Sequence, residues 1–314
     1  MAGISRKTGG LMRVVALFLL VAACSSAEQL EVTLEGESAQ RLLRFYFGSY
    51  TSEDPFETGL LNERGGRFYV DLAVLREYGP ELAQELNAMA SGGVVSPDSL
   101  RTAVQMTYYH ARNLPERLSE FSNRWVIDNA ITFEVHGPVT KYLRRITLSE
   151  SALQSAIWYY YENGEKIRYA VGTAIKAEHL RGARVVETTT MVRRSDGFWD
   201  FATYDSTGAL TSHTLPNDRA LATPTQCAGC HFGNKGFEPE QSWPLEPANA
   251  PGDVRKWYTG PRDIAVAEFF SEHSRRSDTL LGLYATAYVS NLRAQRTAGS
   301  LDSSAIALLN HLGL

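Results

Sequence analysis

Cysteine is scarce in this chain, with three residues among 314, at positions 24, 227 and 230. A count this low excludes a small scaffold stapled by disulfides. There is no second Cys-x-x-Cys and no His-x-x-x-His pair, so a zinc site begun by Cys227 and Cys230 lacks further ligands at metal spacing. Internal repeats and low-complexity tracts are also missing. Basic residues are outnumbered, 31 Lys and Arg against 35 Asp and Glu. Three of them, Arg6, Lys7 and Arg13, lie within the first 23 positions, which hold no acid, so the remainder carries 28 against 35, a net of −7. A surface of that sign argues against nucleic acid and favours a basic protein partner or a small uncharged molecule. With 44% hydrophobic residues, the chain can bury a real core in one large or two modest domains.

The early positive charges precede an apolar run of about ten residues, Val14 to Ala23, too short to span a bilayer comfortably and laid out as an export signal. Leu20-Val21-Ala22-Ala23-Cys24 is similar to the lipobox of bacterial lipoproteins, in which the cysteine becomes the lipidated first residue. An ordinary cleaved signal with a stray cysteine is the alternative. The lipobox predicts a lipid anchor at Cys24 and a location on the periplasmic side of a bacterial membrane. Ser25, rather than Asp, follows and favours the outer membrane. Residues 1–23 are then the signal peptide and 24–37 a polar tether.

Cys227-Ala228-Gly229-Cys230-His231 sets two thiols three positions apart with an imidazole directly after them. Covalent haem attachment needs this pattern: each thiol adds to a porphyrin vinyl group as a thioether, and the histidine is left beneath the iron as an axial ligand. The motif predicts one haem c, held by Cys227 and Cys230, with His231 as proximal iron ligand. Redox disulfides and half zinc sites also use Cys-x-x-Cys, but a disulfide site has no call for the adjoining histidine. Attachment of this kind happens outside the cytoplasm, so the export signal and the motif support each other. Lipid on Cys24 and haem on the other two would account for every cysteine.

Between leader and motif the hydrophobic period changes. Residues 38–130 read as helical: Tyr69 to Ala90 carries Leu72, Leu75, Leu82 and Leu86, divided at Gly79-Pro80, and Ser96-Pro97-Asp98-Ser99 opens a helix toward Leu114. Residues 131–262 read as β-rich. Ile167 to Lys176 alternates, Val185 to Val192 is β-branched, and Phe198 to Tyr204 is followed by an Asp205 to Gly208 turn and a returning strand over Ala209 to Leu215. Pro216 to Thr225 reads as loop, and Gly233 to Pro261 as a long irregular stretch suited to wrapping a haem edge. Residues 263–314 read as C-terminal helices, the last capped by Asp302 or Ser303 and ending at Gly313. The fold class predicted is α+β, an antiparallel haem-binding sheet with added N- and C-terminal helices.

From Gly172 to His231 the order of features resembles the cytochrome P460 family: Gly172-Thr173-Ala174-Ile175-Lys176-Ala177-Glu178, then Thr190-Met191-Val192-Arg193-Arg194, then Phe198-Trp199-Asp200-Phe201 with Asp205 and Gly208, then the haem motif. The resemblance implies a haem seated against an antiparallel sheet, with a five-coordinate iron that binds nitrogenous ligands, oxidises hydroxylamine or handles nitric oxide. In the oxidising members a lysine is crosslinked to the porphyrin and immediately precedes a glutamate. Here Ala177 separates Lys176 from Glu178, a displacement that moves Lys176 to the other face of a strand. Lys166 is the alternative amine. The relatives without a crosslink, similar to cytochromes c′ of the β type, are equally compatible.

The sixth iron position separates an enzyme or gas binder from an electron carrier, because an open site admits a ligand whereas a filled one only changes redox state. No methionine follows His231, which excludes the downstream ligand of small soluble cytochromes c. Met191 and His213 are the candidates for a distal ligand, each against a reading as core or surface residue. His273 and His311 on the C-terminal helices come next, while His110, His136 and His179 have no positional argument. Glu178 and Glu187 are candidate proton acceptors, and Lys176 and Glu178 the catalytic candidates. Arg193-Arg194 and Arg275-Arg276 could pair with a haem propionate. The predicted function is redox chemistry on, or binding of, a small nitrogen or oxygen ligand, fed by an electron-transfer partner in the periplasm. A six-coordinate electron carrier and a gas or haem sensor are the alternatives.

Overall fold

The computed structural model describes residues 29–34, 37–136, 142–163, 168–214, 221–232, 265–266 and 279–314. The fold is α+β, as the sequence predicts, but the N-terminal part is not wholly helical. It contains a four-stranded sheet, ordered β2-β3-β1-β4, of β1 (Gln29–Val32), β2 (Leu61–Arg64), β3 (Arg67–Asp71) and β4 (Val94–Val95). Part of the expected tether is thus strand: Leu30 and Val32 turn inward while Gln29 to Val32 pairs with Asp71 to Phe68. Gly65 and Gly66, both at positive φ (59° and 75°), make the two-residue turn between β2 and β3.

The segment expected to be helical from Tyr69 begins instead at Leu72. Asp71 closes β3, and its carboxylate accepts hydrogen bonds from the Ala73 and Val74 amides, so α2 (Leu72–Tyr78) can start only after it. Gly79-Pro80 then divides α2 from α3 (Pro80–Met89), as read. Ser96 caps α4 (Pro97–Ala111), its Oγ 3.1 Å from the Ser99 amide. That helix, together with α1 (Glu37–Phe47) and α5 (Leu118–Arg124), packs the N-terminal part against the second sheet.

The second sheet has six antiparallel strands in the order β10-β9-β8-β7-β6-β5: β5 (Ala130–His136), β6 (Leu143–Ser149), β7 (Ala174–Arg181), β8 (Arg184–Arg193), β9 (Trp199–Asp205) and β10 (Leu210–Thr211). The hairpin of β5 and β6 and the helix α6 (Glu150–Asn163) were not read from the sequence. The expected strand over Ile167 to Thr173 is a turn where described: Gly172, at φ 83°, donates its amide to Arg193 O, and Val171 is 67% exposed. The returning strand after Gly208 stops at Thr211. His213–Thr214 (β11) leaves to pair with Leu221–Ala222 (β12).

Cross-strand partners point to the same face. One face carries Phe133, Ile146, Leu148, Ile175, Met191 and Phe201, all in a single apolar cluster with Leu153, Ala156 and Ile157 of α6. The same cluster takes in α8 (Thr279–Thr297) and α9 (Ser303–His311), the latter capped by Asp302 through the Ser304 and Ala305 amides. Most of the expected Asp263 to Arg296 helix before Thr279, and the Gly233 to Pro261 stretch, lie outside the described residues. Among the described residues no helix is long and apolar enough to cross a membrane.

Candidate functional site

The Cys-x-x-Cys-His motif lies on α7 (Thr225–Phe232), a short helix that follows β12 directly. Two contacts fix its start: Gln226 Oε1 accepts from the Ala222 amide at 2.7 Å, and Gln105 of α4 donates to the Thr225 hydroxyl at 2.6 Å. A helix brings positions three and four apart onto one side. Cys227, and positions 230 and 231 three and four residues on, all fall within α7. The residue types and their spacing are those that attachment of one porphyrin needs. Cys227 is half-buried, forms no disulfide, and packs against the main apolar cluster. Its Sγ is 3.7 Å from Thr223 Oγ1, which is 3.1 Å from Thr203 Oγ1 on β9. Cys227 is thus seated on the sheet face that carries Thr203.

That face continues into a polar corner. Thr203 pairs with Thr189 and Thr189 with Ala177, and the next row along is Asp205, Glu187, His179 and Arg144. His179 is buried, 5% exposed, with Nε2 3.3 Å from Thr189 Oγ1 and Nδ1 3.7 Å from Glu187 Oε1. Burial, reinforced by the Arg144 guanidinium, pushes the His179 pKa down to about 3, so the ring is neutral at physiological pH. Glu187 is 7% exposed and accepts a short hydrogen bond from Thr214 Oγ1. Thr214 belongs to β11, whose partner β12 leads into α7. One buried carboxylate thereby ties the sheet to the segment that carries the motif.

Lys176 and Glu178 fall on the opposite sheet face, in the rows of Thr190 and Thr188. They are paired with each other at 3.3 Å, and Glu178 also meets Arg145 at 3.6 Å. Met191 is buried on the Thr203 face between Ile175 and Phe201, whereas His213 is exposed and bonded to Ser212. His110 is exposed against Glu81, and the His311 ring lies 4.1 Å from Trp158 and 3.9 Å from Tyr161. Arg193 lies over Trp199, while Arg194 is buried in contacts with Phe45 and Ser49. Cys24, Lys166, His273, Arg275 and Arg276 lie outside the described residues. Among the described residues no three His, Cys, Asp or Glu side chains gather as a metal site.

The sequence reading missed His179, because its significance depends on strand register: nothing in the local sequence says that it pairs with Glu187. Comparison with family models, with curated proteins and with solved structures gave no match to this chain.

Proposed function

We propose that this chain is an exported, lipid-anchored monohaem c-type cytochrome of the cytochrome P460 type, which binds or turns over a small nitrogen or oxygen ligand. The observation that supports the reading is the Cys-x-x-Cys-His sequence on a helix whose Cys227 packs against the apolar cluster of the antiparallel sheet. Cys227 and Cys230 would hold the porphyrin by thioethers, and His231 would supply an iron ligand. The haem supplies a redox-active iron able to bind a diatomic molecule or hydroxylamine. Thr223 and Thr203 fix the Cys227 side of the attachment, and Gln105 and Gln226 fix the helix start.

The placement of Lys176 and Glu178 on the far face favours a member without a crosslink through Lys176. A six-coordinate electron carrier is the second reading, and the burial of Met191 on the motif's face is the observation that favours it. The optical spectrum decides between them: a high-spin ferrous band is expected for the open site, and sharp low-spin α and β bands would show the carrier. His231→Ala should keep the haem tethered by both thioethers while changing this spectrum, and an unchanged spectrum would refute the proximal assignment. Cys24→Ser should release the protein from membranes into the soluble periplasmic fraction, and continued membrane fractionation would refute the anchor.

A further inference from the structure

We propose that one end of the four-stranded sheet, where Gln29, the Asp71 start of α2 and the Ser91 to Val94 turn meet, is a lipid-facing surface, held against the phospholipid headgroup layer by a tether of four residues. The inference rests on the reading of Cys24 as a lipid anchor and does not involve the haem.

Chain length leads there first. A tether running to position 37, as the sequence predicts, would let the folded body stand off by roughly 48 Å at full extension. The fold begins much earlier. β1 starts at Gln29, so residues 25–28 are all that separate it from Cys24. That stretch of chain spans ~17 Å at most, and a lipid on Cys24 keeps Gln29 within this distance of the anchored residue.

β1 cannot give up length to extend the reach. It lies inside its sheet, between β3 and β4. Gln29 to Val32 pair with Asp71 to Phe68 on one side, and Glu31 and Val32 with Val94 and Val95 on the other. Leu30 and Val32 are buried, 6% and 1% exposed. Peeling the strand away would open both ladders and expose both side chains, so the restraint acts on the sheet as a whole.

The direction of β1 fixes which end meets the lipid. Asp71 lies beside Gln29, and the Ser91 to Val94 turn closes the same end, with the Glu31 amide donating to Gly93 O at 2.9 Å. The Arg64 to Arg67 hairpin tip lies further along the strands, ~14 Å away by strand rise.

The near end is polar with little free charge. Ala73, Ser91, Gly92 and Gly93 are exposed. The Asp71 carboxylate is engaged by the Ala73 and Val74 amides and by the Gln29 side chain at 3.4 Å. Among the described residues the exposed large apolar side chains, Tyr78, Met106, Val126, Tyr161, Val171 and Ile306, belong to other segments. Such a surface hydrogen-bonds headgroups without entering hydrocarbon, so the contact depends on the tether.

The test uses the full mature chain, lipidated and inserted into phosphatidylethanolamine and phosphatidylglycerol vesicles that contain a lipid with a nitroxide on its headgroup. A fluorophore is attached at Ala73→Cys on the near end or at Arg64→Cys on the hairpin tip, and Ser91→Cys is the second near site should Ala73→Cys not fold. Quenching is expected to be at least about twofold stronger at the near site, which stands ~14 Å closer to the headgroups. Inserting about twelve Gly and Ser residues between Ser26 and Ala27 lengthens the reach to roughly 58 Å and should bring the two sites to equal quenching. Equal quenching with the natural tether, or a difference that survives the insertion, overturns the proposal. Mass spectrometry of the N-terminal peptide reads the anchor separately, and a Cys24 without lipid overturns the lipoprotein reading instead.

Discussion

Asp200→Ala is expected to lower the unfolding free energy by about 3–5 kcal/mol, the cost of leaving a buried charge without its partner. Asp200 is 6% exposed and takes a forked pair of bonds from Arg112, Nε to Oδ1 at 2.9 Å and Nη2 to Oδ2 at 2.7 Å. Tyr108 donates to the same carboxylate at 3.1 Å, and the Tyr108 oxygen accepts the Phe201 amide at 2.8 Å on a stretch of β9 where β10 offers no partner. Arg112 also reaches Ser49 O, and buried Arg194 joins Ser49, Phe45 and Asp196. One carboxylate thus joins α4, the end of α1 and the six-stranded sheet. Removing it leaves the largely buried Arg112 without its carboxylate, while Arg194 keeps Asp196, and a tenfold change in the folding constant accompanies each 1.4 kcal/mol lost. Denaturant unfolding of haem-loaded Asp200→Ala checks this. A shift below about 1 kcal/mol, the value of an exposed pair, would contradict it.

Stability should also fall as the pH drops from about 6.5 toward about 3, and His179 is the cause. In the unfolded chain the imidazole titrates near its ordinary value of 6.5, whereas burial and Arg144 hold the folded value at about 3. Between those limits the unfolded state binds the extra proton, so folding free energy is lost on acidification at up to about 1.4 kcal/mol per pH unit. Above about 6.5 the ring is neutral in both states and contributes no slope. Arg144, Glu187 and Thr189 face the ring from the adjoining strands. His179→Phe should flatten the profile between pH 6 and pH 4 in thermal unfolding curves. An equally steep profile in the variant would assign the slope elsewhere.

Local signals in the chain were read well where one residue type dictates the backbone. Pro80 ends one helix and starts another, Ser96 and Asp302 cap theirs, and Asp205 closes its turn by accepting from the Thr207 and Ala209 amides. Pairing over distance was not legible. Gln29–Val32 is too short and polar to announce itself, and it is a strand only because β3 and β4 flank it. Tyr69 continues the apolar period of the following helix, yet Asp71 fixes the boundary between strand and helix. Alternation over Ile167 to Thr173 suggested a strand, and the turn at Gly172 overrides it. The site divides in the same way. Cys227, Cys230 and His231 announce their chemistry by spacing, whereas the His179 and Glu187 corner exists only through the register of β7 on β8.

The measurement that bears most directly on the account is the cofactor content of protein matured with the export machinery intact. Pyridine haemochrome analysis and metal analysis together should give one haem c and one iron per chain, retained after denaturation in acidified acetone because the thioethers to Cys227 and Cys230 are covalent. A chain that carries zinc, or no tetrapyrrole, would contradict it.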